Sequence, residues 1–369
     1  MSIYIHIPFC SNICTYCDFP KVIKNKKWIN NYLKELEKEI KKNYKGELID
    51  TLYIGGGTPS SLEIEDLNKL FNIIKIFNLK QNAEITLEAN TEDLTKEKLK
   101  YLKSKINRLS IGIETFNQDI LKTLNRKINI KYLKNAFKYI KNINLDLMYG
   151  FKNQTIKDLE EDIDKIISLN PKHISTYSLI IEPNTKLYID HYQNIDEDLD
   201  RKMYEIIQSK LKQNNYIQYE ISNFSKQGYE SKHNLAYWNN DKYYGFGLGA
   251  GGYIDKVRYE NTRSLTEYLK GNYKSNIHKL NKSEEIQNEL ILGFRKIKGI
   301  NEDNFKLKYK INIKDIKEIK KMLEKKLLLE DNNNIFINPK YIYTSNEILI
   351  NFIDYVYQDK SIWYIIVRW

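Results

Sequence analysis

"IYIHIPFCSNICTYCDF", residues 3–19, runs an alternating apolar segment straight into three cysteines. The period-two alternation over 3–9 predicts a β-strand. Cys10, Cys14 and Cys17 therefore follow the end of that strand, and the 369 residues contain no other cysteine. An odd number rules out a closed set of disulfides, and three donors fall one short of a saturated tetrahedral metal site. Clustered this tightly, the thiols read as ligands to one inorganic centre rather than as buried packing groups.

Further β-rich runs follow at 50–56, 84–90, 108–115, 143–150 and 173–181. Amphipathic stretches lie between them, near 28–43, 62–78, 95–104, 117–124, 131–141 and 155–168. Six strand–helix repeats predict parallel βα units with right-handed crossovers, hence an α/β fold. Six units are too few for a closed eight-stranded barrel, which leaves an open partial barrel or a doubly wound sheet. In both, chemistry gathers beyond the C-terminal ends of the strands. Cys10, the turn Gly55-Gly56-Gly57-Thr58, Glu88 and Glu114 fall at such ends, and Asp146 lies on the fifth strand. One shared pocket is expected.

Downstream, 196–215 predicts a helix and YIQYEISNF (216–224) a further strand. The Gly-rich, aromatic segment 226–260 reads as loop-like. Within it GFGLGAGGY (245–253) reads as a close-packing turn, because no strand-to-helix context with a partner acid supports a nucleotide loop. From 283, short helices and a hairpin turning at Asn332–Asn334 predict a small α+β module, with a winged helix as one candidate form. The expected domains are a core over 1–225, a linking segment over 226–282, the module over 283–354 and an atypical tail over 355–369. The tail has no functional account; it reads as a docked extra strand or a terminus peculiar to this chain.

The net charge of +11 raises the question of a nucleic-acid partner. The lysines are spread along the chain on the polar sides of helical stretches, so no nucleic acid is expected and an RNA-binding module ranks third. Low cysteine usage fits a reducing cytosol. Met1 leads directly into the first strand without a signal-peptide pattern, and no run of eighteen apolar residues exists. A cytoplasmic protein without a transmembrane segment is expected.

Zinc would ask for a fourth protein ligand, and His6 lies on the strand with its direction undetermined. A four-iron cluster on three thiolates instead keeps one iron open to an exchangeable ligand. Cys10-x3-Cys14-x2-Cys17, with Tyr16 before the last cysteine, resembles the signature of the radical S-adenosylmethionine superfamily, and GGGTPS (55–60) resembles its glycine element. The resemblance implies a partial (β/α)6 barrel, a 4Fe–4S cluster on the three cysteines, and S-adenosylmethionine chelating the open iron.

YIHIPFC, YCDF, GGGTPS, LNRK and DLMYG narrow the resemblance to the branch of oxygen-independent coproporphyrinogen III oxidases and HemW-type haem chaperones, over most of residues 1–354. By that resemblance Tyr4, Tyr16, Gly56, Gly57, Thr58, Glu88, Glu114, Arg126 and Asp146 line the S-adenosylmethionine site. Carboxylates suit ribose hydroxyls, and Arg126 suits the methionyl carboxylate through paired hydrogen bonds. Two departures stand out: Glu114 where glutamine is usual, which removes an amide donor, and Lys152 where proline is common, which touches only a turn. No residue is assigned a catalytic role.

Three features separate the two branches. Phe19 stands where the oxidases carry a further cysteine, the first strand begins at residue 3 without an N-terminal extension, and HNLAYW (233–238) resembles the haem-associated element of the chaperones. The implied function is a haem chaperone, with His233 offering an imidazole to the iron and Tyr237 and Trp238 offering flat apolar surface. Haem-acceptor proteins and a small electron donor such as flavodoxin or ferredoxin are the implied partners. Radical decarboxylation of coproporphyrinogen III propionates, or a related radical methylation, is the alternative.

Overall fold

A computed structural model of the chain describes residues 1–353. Its frame is six strands: β1 (Ser2–Ile7), β2 (Leu48–Gly56), β3 (Asn78–Asn90), β4 (Arg108–Glu114), β5 (Ile143–Tyr149) and β6 (His173–Ser178). Each pairs in parallel with the next in chain order. Their side chains alternate between two faces. Ile3, Ile5, Leu52, Ile54, Leu87, Leu109, Ile111 and Leu145 are buried against the amphipathic helices. Tyr4, His6, Tyr53, Glu88, Ser110, Asn144, Asp146 and Ser175 occupy the other positions and make the barrel's lining polar.

Helices α1 (Lys26–Asn43), α2 (Ile64–Ile74), α3 (Lys96–Leu102), α4 (Gln118–Thr123), α5 (Ile130–Tyr139) and α6 (Ile156–Leu169) are the crossovers. Asn25, Thr95, Asn117, Asn129 and Thr155 cap five of them through their side chains. Each cap satisfies backbone N–H groups that the first turn leaves without partners. The parallel strands and crossover helices thus fall where the sequence predicts them, with β3 starting six residues early at Asn78; the single strand expected at 216–224 is instead two short antiparallel strands, Ile217–Gln218 and Asn223–Ser225.

The segment 226–260 is a correction. Instead of a loop it carries helix α7 (Lys232–Trp238) and strands β9 (Tyr243–Phe246), β10 (Gly251–Ile254) and most of β11 (Val257–Asn261). With β7 (Ile217–Gln218), β8 (Asn223–Ser225) and β12 (Lys274–Lys279), the main sheet among the described residues runs β12-β11-β10-β9-β1-β2-β3-β4-β5-β6-β8-β7. β9 lies parallel to β1, so residues 226–282 extend the core sheet rather than link two bodies. The glycines misled the loop reading because here they permit close strand approach. A Cβ on Gly245 would sit 1.8 Å from the Gly251 carbonyl oxygen, and one on Gly252 would strike the Tyr259 ring at 2.2 Å. The expected turn survives at Gly247 and Gly249, both with positive φ.

The C-terminal part forms its own antiparallel sheet from Ile300–Asn301, Asn334–Ile337 and Leu328–Asp331. Asn332 and Asn333 take the left-handed conformation that a two-residue hairpin turn requires, and Asn334 already begins the strand. Phe305, Ile319, Met322 and Ile335 belong to the same continuous apolar core as the barrel helices. Among the described residues no helix is long and apolar enough to cross a membrane. The tail expected at 355–369 lies outside the described residues.

Candidate metal and cofactor site

Beyond β1, Phe9–Cys10 pairs in parallel with Val22–Ile23 and pins both ends of the cysteine loop. The loop rests on the segment after α4: Thr15 N donates to the Leu124 carbonyl (3.2 Å), Thr15 Oγ1 to that of Thr123 (3.0 Å), and Asn125 Nδ2 to that of Ile13 (2.9 Å). Cys10 is buried, Cys14 and Cys17 are partly buried, and all three are free thiols. Burial, with mutual repulsion as a lesser cause, raises Cys10 and pushes Cys17 up to about 11. Such thiols ionise readily only when a metal centre takes the place of the protons.

The donor set fits a cluster better than a single ion. No three His, Cys, Asp or Glu side chains among the described residues converge as ligands to one metal ion. A zinc tetrahedron needs that convergence, whereas a cluster sets one iron on each thiolate. His6 is no fourth ligand in this arrangement. One ring nitrogen is hydrogen-bonded to Tyr4 OH (3.0 Å) and the other to the Pro20 carbonyl (2.7 Å), which fixes the loop's return. A cavity of about 440 Å³ opens beside Cys14 and Cys17 and is bounded also by Lys21, Asn125 and Lys186.

The glycine turn after β2 locks onto this loop. Gly57 N donates to the Ile7 carbonyl (2.9 Å), Thr58 N to that of Phe9 (3.0 Å), and Thr58 Oγ1 lies 3.5 Å from Cys10 Sγ. A Cβ on Gly57 would meet the Pro8 carbonyl carbon at 2.8 Å and Cys10 Sγ at 2.9 Å. Gly56, at φ +119°, donates its N–H to Glu88 Oε2 (2.9 Å), while Tyr53 OH donates to Glu88 Oε1 (2.7 Å). Burial raises the Glu88 carboxyl to about 7.

On the opposite side of the loop, Tyr16 OH donates to Glu114 Oε1 (3.0 Å), which lies 3.5 Å from an Arg126 nitrogen. Arg126 also donates to Asn90 Oδ1 (3.1 Å) and the Gly112 carbonyl (2.8 Å), and reaches Cys14 Sγ at 3.6 Å. Its Nε is buried without a partner, an orphan donor beside the cysteine loop. Glu114 sits at φ +65°, a conformation that L side chains rarely adopt and that is often held at functional sites. Where glutamine would donate, this carboxylate accepts, and it partly neutralises Arg126. Asp146 lies deeper, bonded to Asn144 Nδ2 (2.7 Å), with burial raising its carboxyl. Tyr4 stacks on Tyr53, with ring centroids 6.1 Å apart. Two groups result: Gly56, Gly57, Thr58 and Glu88 beside Cys10, and Tyr16, Glu114 and Arg126 beside Cys14. Asn90 joins them, bonding both Arg126 and Thr58 (3.4 Å), and the sequence singled it out by no signal beyond its strand-end position.

HNLAYW lies elsewhere and corrects an expectation. α7 packs against β2, and His233 is only 2% exposed. One ring nitrogen is bonded to Thr51 Oγ1 (2.8 Å), the other to Tyr237 OH (3.0 Å), and the ring stacks on Tyr53 at 5.1 Å. Trp238 is equally buried, under Arg295 at 5.4 Å. So placed, His233 has no free nitrogen for an iron, and Trp238 offers no exposed face. Burial, with the Arg108 charge adding, lowers His233 to about 3, against about 6.5 in an unfolded chain. Its contribution to stability is complete above pH 6.5 and is lost as pH falls toward 3, by up to about 1.4 kcal/mol per pH unit. His233→Gln takes up no proton and is expected to flatten that part of the stability curve. Denaturant titrations at neutral and mildly acid pH measure this; an equally steep variant refutes it.

The Radical SAM superfamily matches residues 4–166. Heme chaperone HemW of Bacillus subtilis (strain 168) is 38% identical over 371 residues, which cover 94% of this chain and 97% of that protein. Heme chaperone HemW of Lactococcus lactis is 36% identical, covering 95% and 97%. Among solved structures, coproporphyrinogen III oxidase (HemN) from Escherichia coli, described as a radical SAM enzyme, superposes with a TM-score of 0.85. It is 21% identical and the match covers 96% of this chain and 90% of that one. That likeness establishes the expected fold, a partial parallel barrel with a small α+β module.

Proposed function

The chain belongs to the family of heme chaperone HemW within the radical SAM superfamily, and from that premise we propose that it binds haem and passes it to acceptor proteins. The observation that carries this reading is near-full-length identity with proteins of that name, at 38% over 94% of the chain. Phe19 in place of a further cysteine favours the same branch.

Cys10, Cys14 and Cys17 would hold a 4Fe–4S cluster; when bound, such a cluster supplies one-electron chemistry and an open iron. Gly56, Gly57 and Thr58 would present backbone to the methionyl part of S-adenosylmethionine, and Arg126, with its orphan Nε, would take the carboxylate. Glu88, Glu114 and Asp146 suit ribose hydroxyls; Tyr16 orients Glu114, and Tyr4 holds His6 against the returning cysteine loop. An electron donor such as flavodoxin or ferredoxin would reach the cluster through the cavity beside Cys14 and Cys17. His233, Tyr237 and Trp238 are not assigned to haem, because both His233 nitrogens are bonded and Trp238 is buried.

The test pairs two measurements on anaerobically reconstituted protein. Haem titration is expected to give a saturable Soret band at one haem per chain. Incubation with coproporphyrinogen III, S-adenosylmethionine and a reductant is expected to leave the propionates intact. Decarboxylated product without haem binding would overturn the reading in favour of the oxidase.

A further inference from the structure

We propose that His191 is the haem ligand and that haem sits on the exposed apolar stretch around it, residues 180–192; this rests on the haem reading above. The chain has five histidines, and the fold commits four of them. His6 and His233 have both ring nitrogens bonded. His173 is buried with its nitrogens on Asn144 Oδ1 (2.6 Å) and Tyr219 OH (2.8 Å), and His278 is bonded to Glu284 Oε1 (3.1 Å). His191 is exposed, and its ring has no hydrogen-bond partner among the described residues. It is the imidazole that can meet an iron without any rearrangement of the fold.

The backbone at His191 adds a second argument. The short helix Lys186–Ile189 ends in a Schellman motif: Tyr192 N donates to the Leu187 carbonyl (2.9 Å) and His191 N to that of Tyr188 (3.1 Å). His191 takes the left-handed position of that motif, at φ +53°, where glycine is the usual residue. A histidine kept there against backbone strain points to a task for its side chain. The surface around it is apolar: Ile180, Tyr188 and Ile189 are 47, 53 and 61% exposed. Leu179 and Leu187 anchor the stretch from below, in a small apolar cluster with Met148 and Phe151. Flat apolar surface on the outside suits a macrocycle. Two ammonium groups nearby suit its propionates. Lys186 is met by the exposed Asp190, a weak partner, and Lys152 has no ionic partner among the described residues. The Lys152 N–H donates to Tyr192 OH (2.8 Å), which places residue 152 beside the turn. Leu187 N donates to the Thr15 carbonyl (3.0 Å), so the seat is anchored on the cysteine loop. One protein ligand on an exposed seat leaves the opposite axial position open to an acceptor, as transfer requires.

The experiment uses the cluster-loaded full chain and ferric haem, with affinity followed by Soret titration. The ligand is read separately, by electron paramagnetic resonance of the ferrous nitrosyl adduct, where an imidazole nitrogen trans to nitric oxide adds a hyperfine splitting. His191→Gly is expected to lose that splitting and to weaken haem binding about tenfold or more. Because glycine suits the left-handed position, this variant should melt no lower than wild type, which separates loss of the ligand from loss of the fold. Ile189→Asp is expected to weaken binding while keeping the splitting, since it spoils the seat and spares the ligand. His278→Gln is the control and should change neither. Splitting that persists in His191→Gly, at any affinity, overturns the assignment and leaves the chaperone reading intact. A wild-type adduct that binds haem without the splitting does the same. Absence of haem binding in the wild type removes both.

Discussion

Serine in place of Cys10, Cys14 or Cys17 is expected to leave a folded chain that retains little or no iron. Each substitution is nearly isosteric, so the pinned loop and the core beneath it should survive. What is lost is the thiolate: a hydroxyl does not ionise near neutral pH, and cluster irons are held by thiolates. Iron analysis after anaerobic reconstitution should fall from about four atoms per chain to well under one, with far-ultraviolet circular dichroism unchanged. The three positions should behave alike, since no other cysteine stands in reserve. Full iron retention in any single variant would sink the assignment.

Gly57→Ala should damage the site by close approach alone, since Gly57 has no positive φ. Its Cβ would lie 2.8 Å from a backbone atom of Pro8 and 2.9 Å from Cys10 Sγ, and the backbone neighbour has no flexible end to yield. Overpacking of this kind costs about 1–3 kcal/mol. Here the same displacement moves a proposed cluster ligand and the backbone offered to the methionyl group. S-adenosylmethionine affinity is expected to drop about tenfold or more, equivalent to about 1.4 kcal/mol, with faster loss of iron on dilution. Gly46→Ala is the control. It has φ +89° with nothing within 4 Å, so it carries backbone strain alone and should leave iron and ligand binding unchanged. Equal behaviour of the two variants would contradict the close-approach argument.

The parallel core was legible because its strands carry isoleucine and leucine on alternate positions and its helices carry side-chain caps, both local signals. The cysteine loop was legible for the same reason. What escaped depends on partners distant in the chain. Nothing around His233 indicates that Thr51, 182 residues earlier, takes one of its nitrogens. Gly245 looked like a loop residue because its parallel partner, Tyr4, lies roughly 240 residues earlier. Glu114 was noted for the side chain it lacks, while its left-handed backbone and its pairing with Arg126 follow only from the fold. His6 showed a ring of unknown direction, and only the return of the chain at Pro20 decides it.

The pairing of β9 with β1 sets a constraint on biosynthesis. β1 leaves the ribosome well before its neighbour: Tyr243, the residue that pairs with Ser2, is made roughly 240 residues later. At about 5–20 residues per second that interval is about 10–50 seconds. Throughout it, one side of an Ile-rich strand stands open as a template for any passing extended peptide. Nascent chains that stall before residue 243 should therefore be prone to aggregation.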